Sequence, residues 1–336
     1  LNQDKINLFE VKDVKEIVSL TGTPPGMLEV SERIQLVTEA CVAYIKHQTV
    51  SKGCIVDLGV FFGLSTFLMA KAVERYRNAA NQDETIEVIG YDAFKASKRG
   101  WFINPLLDMV KNIDKAELLV HEEEFVDFRK ITDFYLSGTQ VSLHQTLLRS
   151  ATPPNQPIHL LHIDAPKSYE DFRPILKNFF PCLMTDSVVI FQDFFYHWSG
   201  SLINAVGVLV SLGYLRMEAQ KGTSLKTRVM REFNLAEFEY LDNQIRDSDF
   251  VVVFSTLRGN FGSLKSTDRS DTFFPRFELA ELQLGYVRGA SPVWISEKCE
   301  SIFGRSSKRT TIIDLKELIS YHFDVSNLYK ADYPND

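Results

Sequence analysis

The chain has 336 residues, of which 45% are hydrophobic and 24% charged, with a formal net charge of -7. That length suffices for one large α/β domain with additions, or for two domains, with a sizeable core. The acidic balance excludes a global basic field that would draw the chain to nucleic acid or anionic lipid, and no apolar run reaches the roughly 20 residues a membrane helix needs. A small or neutral partner is therefore expected. No basic-then-apolar leader opens the sequence, so a cytoplasmic location is expected. Four scattered cysteines, Cys41, Cys54, Cys182 and Cys299, lack metal-ligand spacing.

Residues 1–50 read as a helical cover ahead of the first core strand. After the breaker TGTPPG at residues 21–26, Ile34, Val37, Cys41 and Tyr44 recur at helical spacing. Such a face packs over a sheet edge or a ligand cleft, or serves as plain core. The stretch CIVDLGVFFGLSTFLM, residues 54–69, then reads as strand, tight loop and helix start. Asp57 closes the strand, Gly59 and Gly63 shape the loop, and Ser65 or Thr66 is placed to cap the helix. A loop of this kind brings backbone N–H groups and a helix N-terminus to a ligand.

Residues 86–92 (IEVIGYD) read as a second buried strand ending in an acid. In doubly wound sheets such an acid commonly accepts hydrogen bonds from ribose hydroxyls; Asp92 fits that role, with a turn or cap residue as the alternative. Residues 116–121 are expected to be the third strand. They precede the acids 122–124 and Phe125, so that Glu124 or Phe125 either contacts a nucleobase or belongs to a solvated face. The fourth strand, residues 158–163 (IHLLHI), leads into Asp164, Ala165, Pro166 and Lys167; His159 and His162 within it read as core histidines. A helix with Tyr169, Phe172, Leu176 and Phe179 on one face follows. The fifth strand, residues 187–191, ends in Gln192 and Asp193.

Repeated alternation of strands and helices predicts a doubly wound, mostly parallel sheet with helices on both faces and a ligand crevice at the strands' carboxyl ends. Residues 214–220 and 249–255 read as an antiparallel edge, with 221–248 as a polar excursion between them. The expected division is a cover at 1–50, a ligand-binding domain at 51–256 and an extension at 257–336. That extension would serve as a cap, a dimer arm of a homo-oligomer or a partner surface.

The run from Asp57 through Gly59 and Gly63 to Ser65 and Thr66 resembles the glycine-rich first motif of class I methyltransferases that use S-adenosylmethionine, and Asp92 falls where their second acidic motif does. With Asp164 to Lys167 and with Gln192 and Asp193, the sequence is similar to the small-molecule O-methyltransferases of the catechol and macrolide-sugar types. The resemblance spans roughly residues 30–255. It implies a seven-stranded Rossmann-like fold. It also implies a donor site that includes Asp57, Gly59, Gly63, Ser65, Thr66, Asp92, Glu124 and Phe125, and a sugar or small-molecule hydroxyl acceptor. In cation-dependent relatives Mg²⁺ lowers the acceptor's pKa. The matching ligand positions here are Asp164, Gln192 and Asp193. The order of acid and amide is reversed from the catechol pattern, and glutamine replaces an acid of the macrolide-sugar pattern. Lys167 matches the catechol-type base; Pro166 stands where macrolide-sugar enzymes carry an acid. With Asp164, His197 completes the candidate catalytic set. Other acceptors (carboxylate, amine, glycan) and a non-catalytic scaffold remain open, whereas a nicotinamide site is disfavoured because its three-glycine spacing is missing.

Overall fold

A computed structural model describes residues 11–100, 103–111, 113, 115–196, 198–264 and 273–303. In chain order, helices α1 (Val11–Val18) and α2 (Val30–Thr49) precede strand β1 (Cys54–Leu58), helix α3 (Leu64–Ala79) and strand β2 (Glu87–Asp92). An excursion follows, built of β3 (Lys95–Ser97), α4 (Ile103–Lys111), β4 (Val120–His121), β5 (Phe125–Asp127) and α5 (Arg129–Leu136). The chain then runs through β6 (Val141–Gln145), β7 (Ile158–Ile163), α6 (Tyr169–Asn178), β8 (Leu183–Phe191) and α7 (Gly200–Ser211) to the hairpin β9 (Leu215–Lys221) and β10 (Ser224–Val229). Four helices close the described part: α8 (Phe238–Arg246), α9 (Phe250–Ser263), α10 (Phe273–Val287) and α11 (Pro292–Phe303).

Among the described residues, seven strands form one sheet in the order β6-β2-β1-β7-β8-β10-β9, and β3-β5-β4 form a small antiparallel sheet. The five strands from β6 to β8 are parallel; β10 and β9 add an antiparallel edge. This is the doubly wound, mostly parallel sheet expected from the alternation of elements. β1 and β7 are buried along their whole length, as strands covered on both faces must be. On one face, α1, α2 and α3 bury Leu36, Val37, Tyr44, Leu68 and Met69 against Ile55 and Leu160. On the other, α6 and α7 bury Phe172, Ile175, Ile203 and Val206 against Val56, Leu161 and Val189.

Three local expectations differ from the structure. Residues 116–121 are not the third strand of the main sheet: they form a short 3-10 turn and β4 of the small sheet, and the strand beside β2 is β6. β6 is a half-exposed edge whose Ser142, His144 and Gln145 dilute the apolar signal. Residues 249–255 are helical. Asp249 accepts from the N–H groups of Val251 and Val252 and caps α9, and a short apolar run of this kind does not by itself distinguish helix from buried strand. The pairing partner of β9 is instead β10, within the stretch read as an excursion.

The expected break at 256/257 accordingly falls inside α9, which packs on α7: a Cβ at Gly207 would lie 2.4 Å from Val253. α10 joins the same core through Phe277, Ala280 and Leu284. The helical stretch expected at 312–323 lies outside the described residues. No described helix is long and apolar enough to cross a membrane.

Candidate functional site

The loop between β1 and α3 is held in an unusual backbone conformation. Gly59, Phe61 and Gly63 all have positive φ (100°, 51° and 98°). A Cβ at Gly59 would sit 2.9 Å from the Ala165 backbone nitrogen, so only glycine allows the β1 and β7 ends to approach this closely. Phe61 carries a steric cost that local bonds offset: Asp92 Oδ2 accepts from the Phe61 N–H (2.8 Å), and Thr132 donates to the Phe61 carbonyl (2.7 Å). Asp92 Oδ1 accepts from the N–H of Phe94, a second residue at positive φ (54°). Asp92 therefore acts as a turn residue that ties two loops together, and burial raises its pKa.

Beneath the loop, Asp57 is wholly buried. Its Oδ2 accepts from the hydroxyls of Ser65 and Thr66, and its Oδ1 lies 2.7 Å from His162 Nδ1. Ser65 and Thr66 thus do not cap α3. The N-cap is Gly63, which makes no side-chain cap bond. Burial opposes the charged form of His162, but Asp57 outweighs it and raises the pKa. His162 is a core histidine, as read from the sequence, and within the core it compensates the buried Asp57 charge.

At the ends of β7 and β8, Lys167 Nζ lies 2.8 Å from the Asp164 carbonyl oxygen, 3.0 Å from Asp193 Oδ2 and 3.5 Å from Asp164 Oδ1. Asp193 has φ 53°, a third non-glycine residue of this site in the left-handed region. Burial pushes Asp164 up to about 6. For Lys167 burial acts downward, but Asp193 and Asp164 prevail and its pKa stands above the ordinary value. That departs from the expectation of Lys167 as base, since a base must surrender its proton near neutral pH.

Residues that sequence reasoning missed link this cluster to the N-terminal cover. Glu32 of α2 is 2% exposed, and its Oε1 accepts from the Thr223 N–H (2.9 Å). The Thr223 hydroxyl lies between Glu32 Oε1 (3.0 Å) and Asp193 Oδ1 (3.1 Å), and the Ser224 hydroxyl lies between Glu32 Oε1 and the Gln192 amide. The one local signal was the capping box of α2, in which Glu32 Oε2 accepts from the Glu29 N–H.

A shallow, open cleft joins these parts, lined by residues 25–28 of the cover, by Val60, Phe61, Leu64 and Ser65, and by Asp164, Gln192 and Asp193. Glu124 and Phe125 are not among its lining residues: Phe125 opens β5 of the small sheet, and Glu124, in the bend before it, is exposed and faces Arg99 (3.9 Å). The carboxyl end of the strand beside β2 is occupied by Gln145 and Thr146 instead. His197 lies outside the described residues.

The cleft offers groups that suit a carboxylate such as the donor's. Its wall includes the first turn of α3, whose N–H groups have no side-chain cap and can meet a carboxylate, and a loop whose glycine permits close backbone approach. It does not fit Mg²⁺ through the expected set of Asp164, Gln192 and Asp193. An ammonium lies between the two carboxylates, the Gln192 amide is turned to Ser224, and among the described residues no group of three His, Cys, Asp or Glu side chains could hold a metal ion.

The glycine loop and the carboxylate-bearing strand ends fall within the one segment that is similar to a methyltransferase domain. Residues 56–194 match the family described as "Methyltransferase domain". Among curated proteins no match is found. Among solved structures the chain is similar to the O-methyltransferase NovP (15% identity, 61% of this chain and 82% of that chain, TM-score 0.42). It is also similar to CalS11, a TDP-rhamnose 3'-O-methyltransferase of calicheamicin biosynthesis (16% identity, 67% and 93%, TM-score 0.40). A third is an O-methyltransferase from Bacillus cereus in complex with SAH (11% identity, 69% and 92%, TM-score 0.36).

Proposed function

We propose that the chain transfers a methyl group from S-adenosylmethionine to a hydroxyl of a sugar or other small polar acceptor. The observation that carries this reading is that one cleft is lined both by the glycine loop and by Asp164, Gln192 and Asp193. When bound, S-adenosylmethionine supplies an electrophilic methyl on a sulfonium. The chain's own residues must place an acceptor oxygen in line with that methyl and take its proton.

Asp164 is the group best suited to take it. Its side chain is 33% exposed to the cleft, and its pKa of about 6 leaves it ionised yet basic at neutral pH. The acceptor's O–H proton passes to the Asp164 carboxylate as the O–CH₃ bond forms and the S–CH₃ bond breaks, leaving a neutral thioether; solvent then removes the proton. Asp193, which also lines the cleft, acts as an acceptor for a neighbouring hydroxyl, and two carboxylates on one wall suit a polyol better than an apolar ring. Met27 and Leu28, from the cover, join Val60, Phe61 and Leu64 in the apolar part of the wall.

The test is transfer from methyl-labelled donor onto a panel of glycosides and nucleotide sugars, by the intact chain and by Asp164→Asn. Label should enter at least one acceptor and fall by about a hundredfold in the variant. No transfer to any hydroxyl, with transfer to an amine or carboxylate acceptor, would reassign the reaction.

A further inference from the structure

We propose that the Lys167 ammonium stands in for the divalent cation of the cation-dependent relatives, so that this site holds its carboxylates in place without Mg²⁺. The inference rests on reading the cleft as a methyltransferase site, but its geometry is independent of the acceptor.

Three oxygens surround Lys167 Nζ within 3.5 Å: the Asp164 carbonyl, Asp164 Oδ1 and Asp193 Oδ2. Those two carboxylates are the charged members of the expected cation set, and the ammonium bridges them from a side chain only 15% exposed. The remaining member is neutral and engaged elsewhere, because the Gln192 amide is 5% exposed and turned to the Ser224 hydroxyl. The other Asp193 oxygen, Oδ1, faces the Thr223 hydroxyl at 3.1 Å.

With Gln192 neutral, Asp164, Asp193 and Lys167 sum to one negative charge, where the two carboxylates alone carry two. A hard dication draws its affinity from that charge and must also approach the lysine's positive charge. To bind, it would have to expel Lys167 from a largely desolvated ion pair, leaving the ammonium without those partners. An ammonium supplies three directed N–H donors and a single positive charge. Here all three are directed at the Asp164 carbonyl, Asp164 Oδ1 and Asp193 Oδ2, so the ammonium holds the two acids in place, which is the charge-balancing part of what a metal would do.

The experiment is calorimetric titration of the intact chain with Mg²⁺, and separately with Mn²⁺, in the wild type, Lys167→Gln and Lys167→Arg. S-adenosylmethionine binding is measured in parallel on each protein. The wild type and Lys167→Arg should give no saturable heat with millimolar metal, whereas Lys167→Gln should give saturable one-site binding in that range. Saturable one-site binding by the wild type that is lost in Asp164→Asn overturns the proposal, as does equal metal affinity in the wild type and Lys167→Gln. Retained donor binding shows that Lys167→Gln is folded. Absence of donor binding from every protein would instead overturn the functional reading and leave the metal comparison standing.

Discussion

Asp57 and His162, 105 residues apart in the chain, meet at 2.7 Å under the glycine loop, both without solvent exposure. They are cross-strand neighbours on β1 and β7, so the sheet register itself places the imidazole beside the acid that anchors Ser65 and Thr66. The groups facing His162 are Asp57, Asp164 and Glu32, all acidic. Its Nε2 has no hydrogen-bond partner among the described residues, which is part of the burial cost that Asp57 outweighs. Because the folded pKa is raised, the stabilisation is fully present below the unfolded value of about 6.5 and is lost as pH rises through the folded pKa. Thermal denaturation of the wild type should therefore show Tm declining above about pH 6.5. In His162→Gln that slope should be reduced; an identical slope would assign the effect elsewhere.

Gly59→Ala should destabilise the domain by about 1–3 kcal/mol, because φ is +100° and the new Cβ would meet the Ala165 backbone. Gly138→Ala, with nothing within 4 Å, should stay within about 0.5 kcal/mol of wild type. Urea midpoints at constant m-value compare the two.

Glu32→Gln should separate binding from transfer. It weakens the link from α2 through Thr223 and Ser224 to Asp193 and Gln192, while leaving the loop on the other side of the cleft intact. Donor affinity should stay within about twofold and the transfer rate should fall about tenfold, read by calorimetry and single-turnover transfer. A parallel loss of both would mark Glu32 as merely structural.

On the far face, Asp242 receives Arg173, Arg246 and the Tyr169 hydroxyl. Burial pushes its carboxyl upward, but Arg173 and Tyr169 dominate and hold it down to about 2. A depressed pKa gives stability that is present above the unfolded value of about 3.9 and is lost as pH falls toward 2. Asp242→Asn should cost about 1–2 kcal/mol at neutral pH, allowing for the partly exposed arginines, and the difference should close between pH 4 and 2. Denaturation across that range measures it.

The parts of this protein legible in the sequence are those set by local pattern. β1 and β7 are unbroken apolar runs, and the two glycines of the first loop both take positive φ. Strand β6 was hidden because an edge strand keeps polar side chains, and α9 because its apolar run matches either period. The site's wiring is tertiary. Ser224 and Glu32 are 192 residues apart, and Lys167 becomes a poor base only because folding sets two carboxylates beside it. Sequence spacing placed Asp92 at a strand end; only the fold shows its carboxylate bound to the N–H groups of Phe61 and Phe94.

The most direct measurement is a calorimetric titration of S-adenosylmethionine into the intact chain, Asp92→Ala and Gly63→Val. In the first variant the Phe61 and Phe94 N–H groups lose their acceptor. In the second, a β-branched side chain is forced onto φ +98° within 3.1 Å of Leu136. Saturable one-to-one binding by the wild type, weakened about tenfold or more in each variant, is the predicted result. Equal affinity in all three, or none in the wild type, would contradict a donor site at this loop.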